Sequence, residues 1–576
     1  MTKRLLILSL LFARVITLSW SQDANKDNQL RNLVIEYRQA EVTIPYPGSV
    51  VMDILTKNVS ITSVKDKKVI INLSPRTIDW FIAGNFNYLI LDREDNKGIV
   101  SAKSIIQAMD WQSYPTYSQY DSIMRNFASA YPSLCHLDTI GKSINGKYVL
   151  ALKISDNPSL NEDEPKVFYS STIHGDETGG FVLMLHFADY LLKNYNLDTR
   201  VKNLVDNLEI WINPLANPDG TYGTGNAISS SSTRYNANGY DLNRNFPDPV
   251  TPYTSSNIEQ KETIDMVRFM RKHRFVISAN FHAGDEVVNY PWDYFYNKKS
   301  KYHADNTWFK SISRAFADTV HVYGPAGYMT ELDNGITFGA DWYSITGGRQ
   351  DFITWNLQGR EVTIELDVNK ETPAAQLTLL WQYNWRSLMG YLENALFGIH
   401  GLVKDAHTSV PVPAKVFISG HDVDSSQVYS DTLSGSFTRM LAPGAWNLTF
   451  SAKGYHDTTI NNVQVVARQR TDLAVEMRSI TSSIDSVDSE IPLLFPNPAS
   501  SFIMAKLPEK LSGKVNIKII SQSGMKVADY FKDFLSGYPL EIDLRGLAGG
   551  EYTIIFKNTA SGILYRGRIV VIGRSF

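Results

Sequence analysis

The chain has 576 residues, of which 43% are hydrophobic and 20% charged, with a formal net charge of -3. That length exceeds what one core can organise and predicts roughly three to five domains. The near-neutral balance, without a basic tract, argues against a nucleic-acid-binding chain. The single cysteine, Cys135, excludes an internal disulfide and a thiolate zinc site, so any metal must be held by histidine and carboxylate.

Residues 1–22 place Lys3 and Arg4 before an apolar stretch and small residues, Ser19 and Ser21, before Gln22. This is the layout of a secretory signal peptide. Arg14 breaks the apolar run, and no later segment reads as membrane-spanning, a helix of that kind wanting about 20 apolar residues. From 23 to 107, short strand-like runs (VTIPYPGSV, VSITSV, KVIINL, NYLILD) alternate with turns, and one helix is predicted with Ser74 as its cap and Pro75 at its first position. This small α+β unit is compatible with either an inhibitory pro-segment or an accessory domain.

From 108 to 397 the pattern changes. Tyr120, Ile123, Met124, Phe127, Ala128 and Tyr131 follow the spacing of an amphipathic helix. The apolar runs VLALKIS, KVFYSSTI, LEIWINPL, FVISANF and EVTIEL then alternate with helical stretches such as FVLMLHFADYLLKNY and SNIEQKETIDMVRFMRKH. This predicts an α/β architecture, a mixed central sheet with helices on both faces. Residues 398–478 carry alternating strands and Gly, Pro and Asp turns, which read as a small antiparallel sandwich. Residues 479–490 form a Ser-rich linker, and 491–576 a second small β-rich domain.

The chemistry begins with STIHGDETGG at 171–180. His174 and Glu177 are three apart where a core strand leaves the sheet, the edge at which α/β sites usually lie. That pair alone is a weak metal signal, since a catalytic zinc wants a third protein ligand as well as water. His282 ends FVISANF at another strand exit. Glu365 lies inside the apolar run EVTIEL, where a carboxylate is costly to bury unless paired or functional. YDLNRNFPD (240–248) is a non-periodic loop rich in polar groups.

In that order, HxxE, NPDG, DLNRNFPD, the later histidine and the strand glutamate resemble the zinc metallocarboxypeptidases of the A/B fold. With the sandwich at 398–478 resembling a transthyretin-like domain, the similarity is greatest to the D/N/E/M branch. The resemblance implies one Zn2+ held by His174, Glu177 and His282, with Glu365 as general base and Arg234 directed at the scissile carbonyl. It also implies that Asp241 hydrogen-bonds the first zinc histidine, and that Asn243 and Arg244 grip a terminal carboxylate. Tyr343, four residues before Gly347, matches the tyrosine that closes over substrate; Tyr290 does not. Asp293, eleven residues after His282, matches a carboxylate that pairs with C-terminal Lys or Arg. Asp285 and Glu286 are compatible with reinforcing that preference or with plain solvation, and Asp176 receives no role.

The implied activity is removal of C-terminal residues from peptides and proteins. Residues 491–576, with LFPNPAS, LEIDLRGLAGGEYTIIF and YRGRIVVIG, resemble the C-terminal sorting domain of cargo for a bacterial type IX secretion system. That implies partnership with the secretion machinery and a secreted or outer-membrane-surface location after leader removal. Two other readings stay open: a peptide-binding homologue with weak chemistry, expected to lack a ligand or the base, and a cell-wall peptide amidase, which the Asn243 and Arg244 pair and Asp293 oppose.

Overall fold

The computed structural model describes residues 24–93, 98–247, 260–294, 301–480, 492–522, 525–560 and 564–572. The predicted leader, most of the predicted linker and Asp248 of the polar loop lie outside them. The chain divides into two compact units, Met1–Ile480 and Thr481–Phe576.

The first unit opens with a four-stranded antiparallel sheet in the order β2-β3-β1-β4, where β1 is Ala40–Pro45, β2 Ser60–Lys65, β3 Lys68–Leu73 and β4 Leu89–Ile90. The sequence suggests a strand through VTIPYPGSV, but the strand stops at Pro45 and a helix occupies Ser49–Asn58. Pro45 and Pro47 offer no N–H to a ladder, and Gly48 turns the chain at φ 89° before the helix. A helix over Ala24–Tyr37 is likewise not anticipated from the sequence. The helix expected from Ser74 begins later, at Ile78, because Ser74 closes a turn by donating its N–H to Thr77 Oγ1 at 2.9 Å.

An eight-stranded mixed sheet follows, in the order β11-β10-β12-β9-β7-β8-β6-β5. Its strands are β5 Cys135–Lys142, β6 Tyr148–Ile154, β7 Lys166–Ser171, β8 Glu209–Asn213, β9 Ile277–His282, β10 Asp285–Tyr290, β11 Ile336–Phe338 and β12 Arg360–Asp367. The four strands β8, β7, β9 and β12 run parallel to their neighbours in that row. Alternate residues of these strands enter different cores. Val167, Tyr169, Ile210 and Ile212 join the helices Tyr117–Ala130, Gly179–Asn194, Asn306–Tyr323 and Leu377–Glu393, while Phe168 and Trp211 pack against Met266 and Phe269 of the helix Lys261–His273. Burial on both faces explains why the strands read as continuous apolar runs.

Residues 398–477 form two small sheets of three and four strands. They are not wholly antiparallel as expected: Gly398–Asp405 pairs parallel with Arg470–Met477. Alternation reports which face a strand buries, not its direction, and here the first and last strands of the sandwich lie side by side. Asp305 fastens this sandwich to the main sheet, accepting from Arg360 Nη2 and from Arg439 Nη1, both at 2.6 Å and all fully buried. The second unit consists of an antiparallel three-stranded sheet and an antiparallel four-stranded sheet around Ile517, Ile519, Ile542, Ile554 and Phe556.

Candidate metal centre and peptide site

β7 ends at Ser171, and the chain turns sharply at Thr172 (φ 61°) to bring His174 over the sheet edge. The turn works because Gly175 lies against Gly220 of the NPDG segment: a Cβ at Gly175 would stand 2.1 Å from the Gly220 carbonyl carbon. His282 is the last residue of β9, and Glu365 is its register partner on β12. Loop, strand end and strand interior thereby meet at one edge.

Here His174 Nδ1 lies 2.8 Å from Glu177 Oε1, His282 Nδ1 lies 2.7 Å from Glu177 Oε2, and the two Nδ1 atoms are 3.1 Å apart. All three residues are buried. Two imidazole nitrogens and a carboxylate converging in this way fit a zinc ion, which binds such N/O sets and keeps a position open for chemistry. The other ring nitrogen of His174, Nε2, faces Asp241 Oδ1 at 3.1 Å, the arrangement that fixes a ligand's tautomer and orientation. Asp241 is itself held: its Oδ2 accepts from Arg234 Nε at 2.9 Å and from Ser60 Oγ of β2 at 2.7 Å, and its Oδ1 from the Asn243 N–H at 2.9 Å.

Protonation follows from these neighbours. Burial alone would raise the Glu177 carboxyl, but the two imidazoles beside it hold it well below the usual range. Burial similarly opposes the charge on Asp241, and Arg234 and His174 more than offset it. His282 is pushed down to about 4 by burial, which leaves it neutral, the form that ligates metal. Glu365 goes the other way: burial and the negative Glu177 raise it well above an ordinary glutamate.

His174, Glu177, His282, Arg234, Asn243, Arg244, Asp293, Tyr343 and Glu365 line one cavity of about 40 Å³. Asp241 stands behind it, and Tyr290 is buried in the core against Phe338. Arg244 donates from Nη1 to the Asn243 carbonyl at 2.9 Å, while its buried Nε has no partner among the described residues. Asn243 Oδ1 accepts from the Arg349 N–H at 2.9 Å. Asp285 lines the cavity, whereas Glu286 turns to accept from the Met329 N–H.

Asp293 Oδ1 accepts from Asn289 Nδ2 at 2.8 Å and from Gln350 Nε2 at 2.9 Å. Gly339 makes this room, since a Cβ there would stand 2.2 Å from the same oxygen. Burial pushes the Asp293 carboxyl up to about 6, with the Asn289 hydrogen bond working against it. Asn289 and Gln350 are not anticipated from the sequence, nor are Ser60 and Thr62, which the N-terminal sheet brings to Asp241 and to the cavity. An amide in an apolar strand is the one signal that points to Asn289.

Residues 120–387 match the family described as zinc carboxypeptidase. Carboxypeptidase SOL1 of Arabidopsis thaliana is 34% identical over 358 residues, 60% of this chain and 69% of that protein. The chain belongs to the zinc carboxypeptidases. The catalytic chain of human carboxypeptidase N is 31% identical over 384 residues, 60% of this chain and 82% of that one. Human carboxypeptidase D is 33% identical over 400 residues, 68% of this chain but 28% of its own length. Among solved structures, carboxypeptidase A from Helicoverpa armigera has a TM-score of 0.48 at 16% identity, covering 63% of this chain and 98% of that one.

Residues 398–478 of this zinc carboxypeptidase match a carboxypeptidase regulatory-like domain, and 493–571 a secretion system C-terminal sorting domain. Among the described residues no helix is long and apolar enough to cross a membrane.

Proposed function

We propose that this zinc carboxypeptidase hydrolyses the C-terminal peptide bond of peptides and proteins and releases Lys or Arg. The observation that carries the reading is the convergence of His174, Glu177 and His282 in a cavity that also holds Glu365, Arg234 and Arg244. One zinc ion per catalytic domain (residues 108–397) would be held by that triad, and when bound it supplies Lewis acidity to a water and to the scissile carbonyl.

The protein's own groups do the rest. Arg244, with a free Nε, and Asn243 hold the terminal carboxylate, for which a guanidinium fork is well shaped. That grip makes the enzyme an exopeptidase, because an internal bond offers no carboxylate. Glu365 takes a proton from the attacking water and passes it to the departing amine. Arg234, held between Asp241 and Glu177, donates to the oxyanion as charge develops there. Tyr343 closes the cavity over the substrate, and Asp293 receives a basic side chain.

Export through a type IX system to the medium or the outer-membrane surface fits the sorting domain. The test is direct. Zinc-loaded protein is incubated with peptides ending in Lys, Arg, Leu or Phe, and free amino acids are quantified. Release of Lys or Arg that stops on chelation supports the reading, and absence of release from every peptide overturns it.

A further inference from the structure

The zinc-site cavity has a larger neighbour. A cavity of about 530 Å³ lies between the N-terminal sheet and the catalytic domain. The two cavities share Thr62 and Gly284 as lining. If the proposed function holds, the substrate's last residue is taken by Arg244, Asn243 and Asp293, and its scissile carbonyl by Arg234. The chain upstream must then leave by another wall, and at Thr62 and Gly284 the two cavities adjoin. An extended chain advances about 3.3 Å per residue, so a space this large takes several residues.

The larger cavity is charged, and its charges do not cancel. Glu41 pairs with Lys370, whose charge also acts on Asp176 and Glu371, and the four carboxylates Glu41, Asp92, Asp176 and Glu371 outnumber the two cations Arg93 and Lys370. Asp176 is only 4% exposed; its Oδ2 accepts from Gln39 Nε2 at 3.0 Å, and its buried Oδ1 has no partner among the described residues. A buried carboxylate oxygen without a donor is unfavourable unless a ligand supplies one. Glu371 accepts from Ser232, and burial together with the negative Asp176 pushes its carboxyl up to about 7. A cation between these two carboxylates would relieve both. Asp176 also adjoins Glu177 in the chain, so the unpaired oxygen stands beside the reaction centre.

We propose that this cavity receives the substrate residues upstream of the scissile bond, and that Asp176, assisted by Glu371, selects a basic side chain there. The favoured substrate is accordingly a chain whose end carries consecutive basic residues. The N-terminal α+β unit, through Gln39, Glu41 and Thr62, is one wall of the binding site.

The experiment uses the full chain, zinc-loaded, and peptides with a common C-terminal Lys preceded by Lys, Ala or Glu at each of the two upstream positions. The expected kcat/KM for Lys exceeds that for Ala by about tenfold, as one charge-assisted hydrogen bond provides, and Glu falls below Ala. The difference should sit mainly in KM. Asp176→Asn should bring the Lys-to-Ala ratio near one, and Glu371→Gln should lower it part-way. Zinc content is measured for each variant because Asp176 adjoins a ligand. Affinities of labelled peptides for the Glu365→Gln protein give the same ranking without turnover.

Equal handling of Lys and Ala by the unmodified protein overturns the proposal, as does an unchanged ratio in Asp176→Asn with full zinc. If that variant loses zinc, the Glu371→Gln ratio and the Glu365→Gln affinities decide. Cleavage without upstream discrimination removes only the role of this cavity. Failure to cleave any peptide overturns the carboxypeptidase reading and this one with it.

Discussion

Replacing Asp293 by Asn removes a charge from the proposed specificity pocket while keeping its shape. The native Oδ1 accepts from Asn289 Nδ2 and Gln350 Nε2, and an asparagine oxygen can accept the same two bonds. Ala would leave both amides without a partner. With the carboxyl at about 6, Asp293 is ionised at neutral pH at a cost of a few kcal/mol. A substrate Lys or Arg supplies the missing counter-charge, and a hydrogen bond to an ionised partner is worth about 1.5–3 kcal/mol net. The ratio of kcat/KM for peptides ending in Lys over Leu should therefore fall about ten- to a hundredfold in Asp293→Asn. In the unmodified protein the same ratio should fall as pH drops from 7 to 5, because the neutral acid no longer attracts the cation. Effects at Glu365 or the metal act on both peptides and cancel in the ratio. Stability gives an independent check on the same group. The folded state holds this proton more tightly than the unfolded chain, so the group's contribution is full below the usual 3.8 and lost as pH rises through about 6. Asp293→Asn should thus raise Tm at pH 8 and not at pH 4. A Lys-to-Leu ratio that ignores both the substitution and the pH would refute this reasoning.

Other outcomes follow from the same geometry. Glu365→Gln should keep its zinc, measured by metal analysis, yet lose at least about a hundredfold in kcat, as expected for removal of a general base. Chelation should abolish peptide hydrolysis and lower Tm, since an ion held by His174, Glu177 and His282 of the folded chain stabilises that state, and added Zn2+ should restore both. Asp305→Ala leaves the buried guanidinium of Arg360 without its carboxylate, while Arg439 keeps Asp422, and should cost about 3 kcal/mol in urea unfolding. An unfolding midpoint unchanged from the parent would show that the sandwich is not fastened through this carboxylate.

The sheet was legible because its signals are local, whereas Arg234, Asn243, Arg244, Tyr343 and Asp293 were legible only through the family resemblance. His174 and Glu177 share one turn, and FVISANF and EVTIEL announce buried strands whose polar residues stand out. What was not legible depends on separation in sequence. Ser60 donates to Asp241 across 181 positions, from a strand whose alternation says only that it is a strand. The helix Ser49–Asn58 begins with Ser-Val-Val, residues that favour strands by propensity, and its amphipathic packing on the N-terminal sheet overrides them. The parallel pairing of Gly398–Asp405 with Arg470–Met477 is invisible for a similar reason, because a pattern of period two is identical read in either direction.

Those long-range contacts dock the N-terminal unit on the candidate site. Asp241 accepts from Ser60 and faces the ring of His174, so the small sheet touches the residue that contacts a proposed metal ligand. Gln39 Oε1 accepts from the Arg234 N–H at 2.9 Å while its amide donates to Asp176, so one side chain ties the Arg234 backbone to the wall of the larger cavity. Tyr235 Oη donates to the Asn72 carbonyl at 2.7 Å, and Tyr343 packs on the N-terminal core. A domain attached only by a tether would make none of these bonds. Asp241, Arg234, Tyr235 and Tyr343 thus all contact residues that precede the catalytic sheet in the chain, contacts that an inhibitory pro-segment and an accessory domain would share.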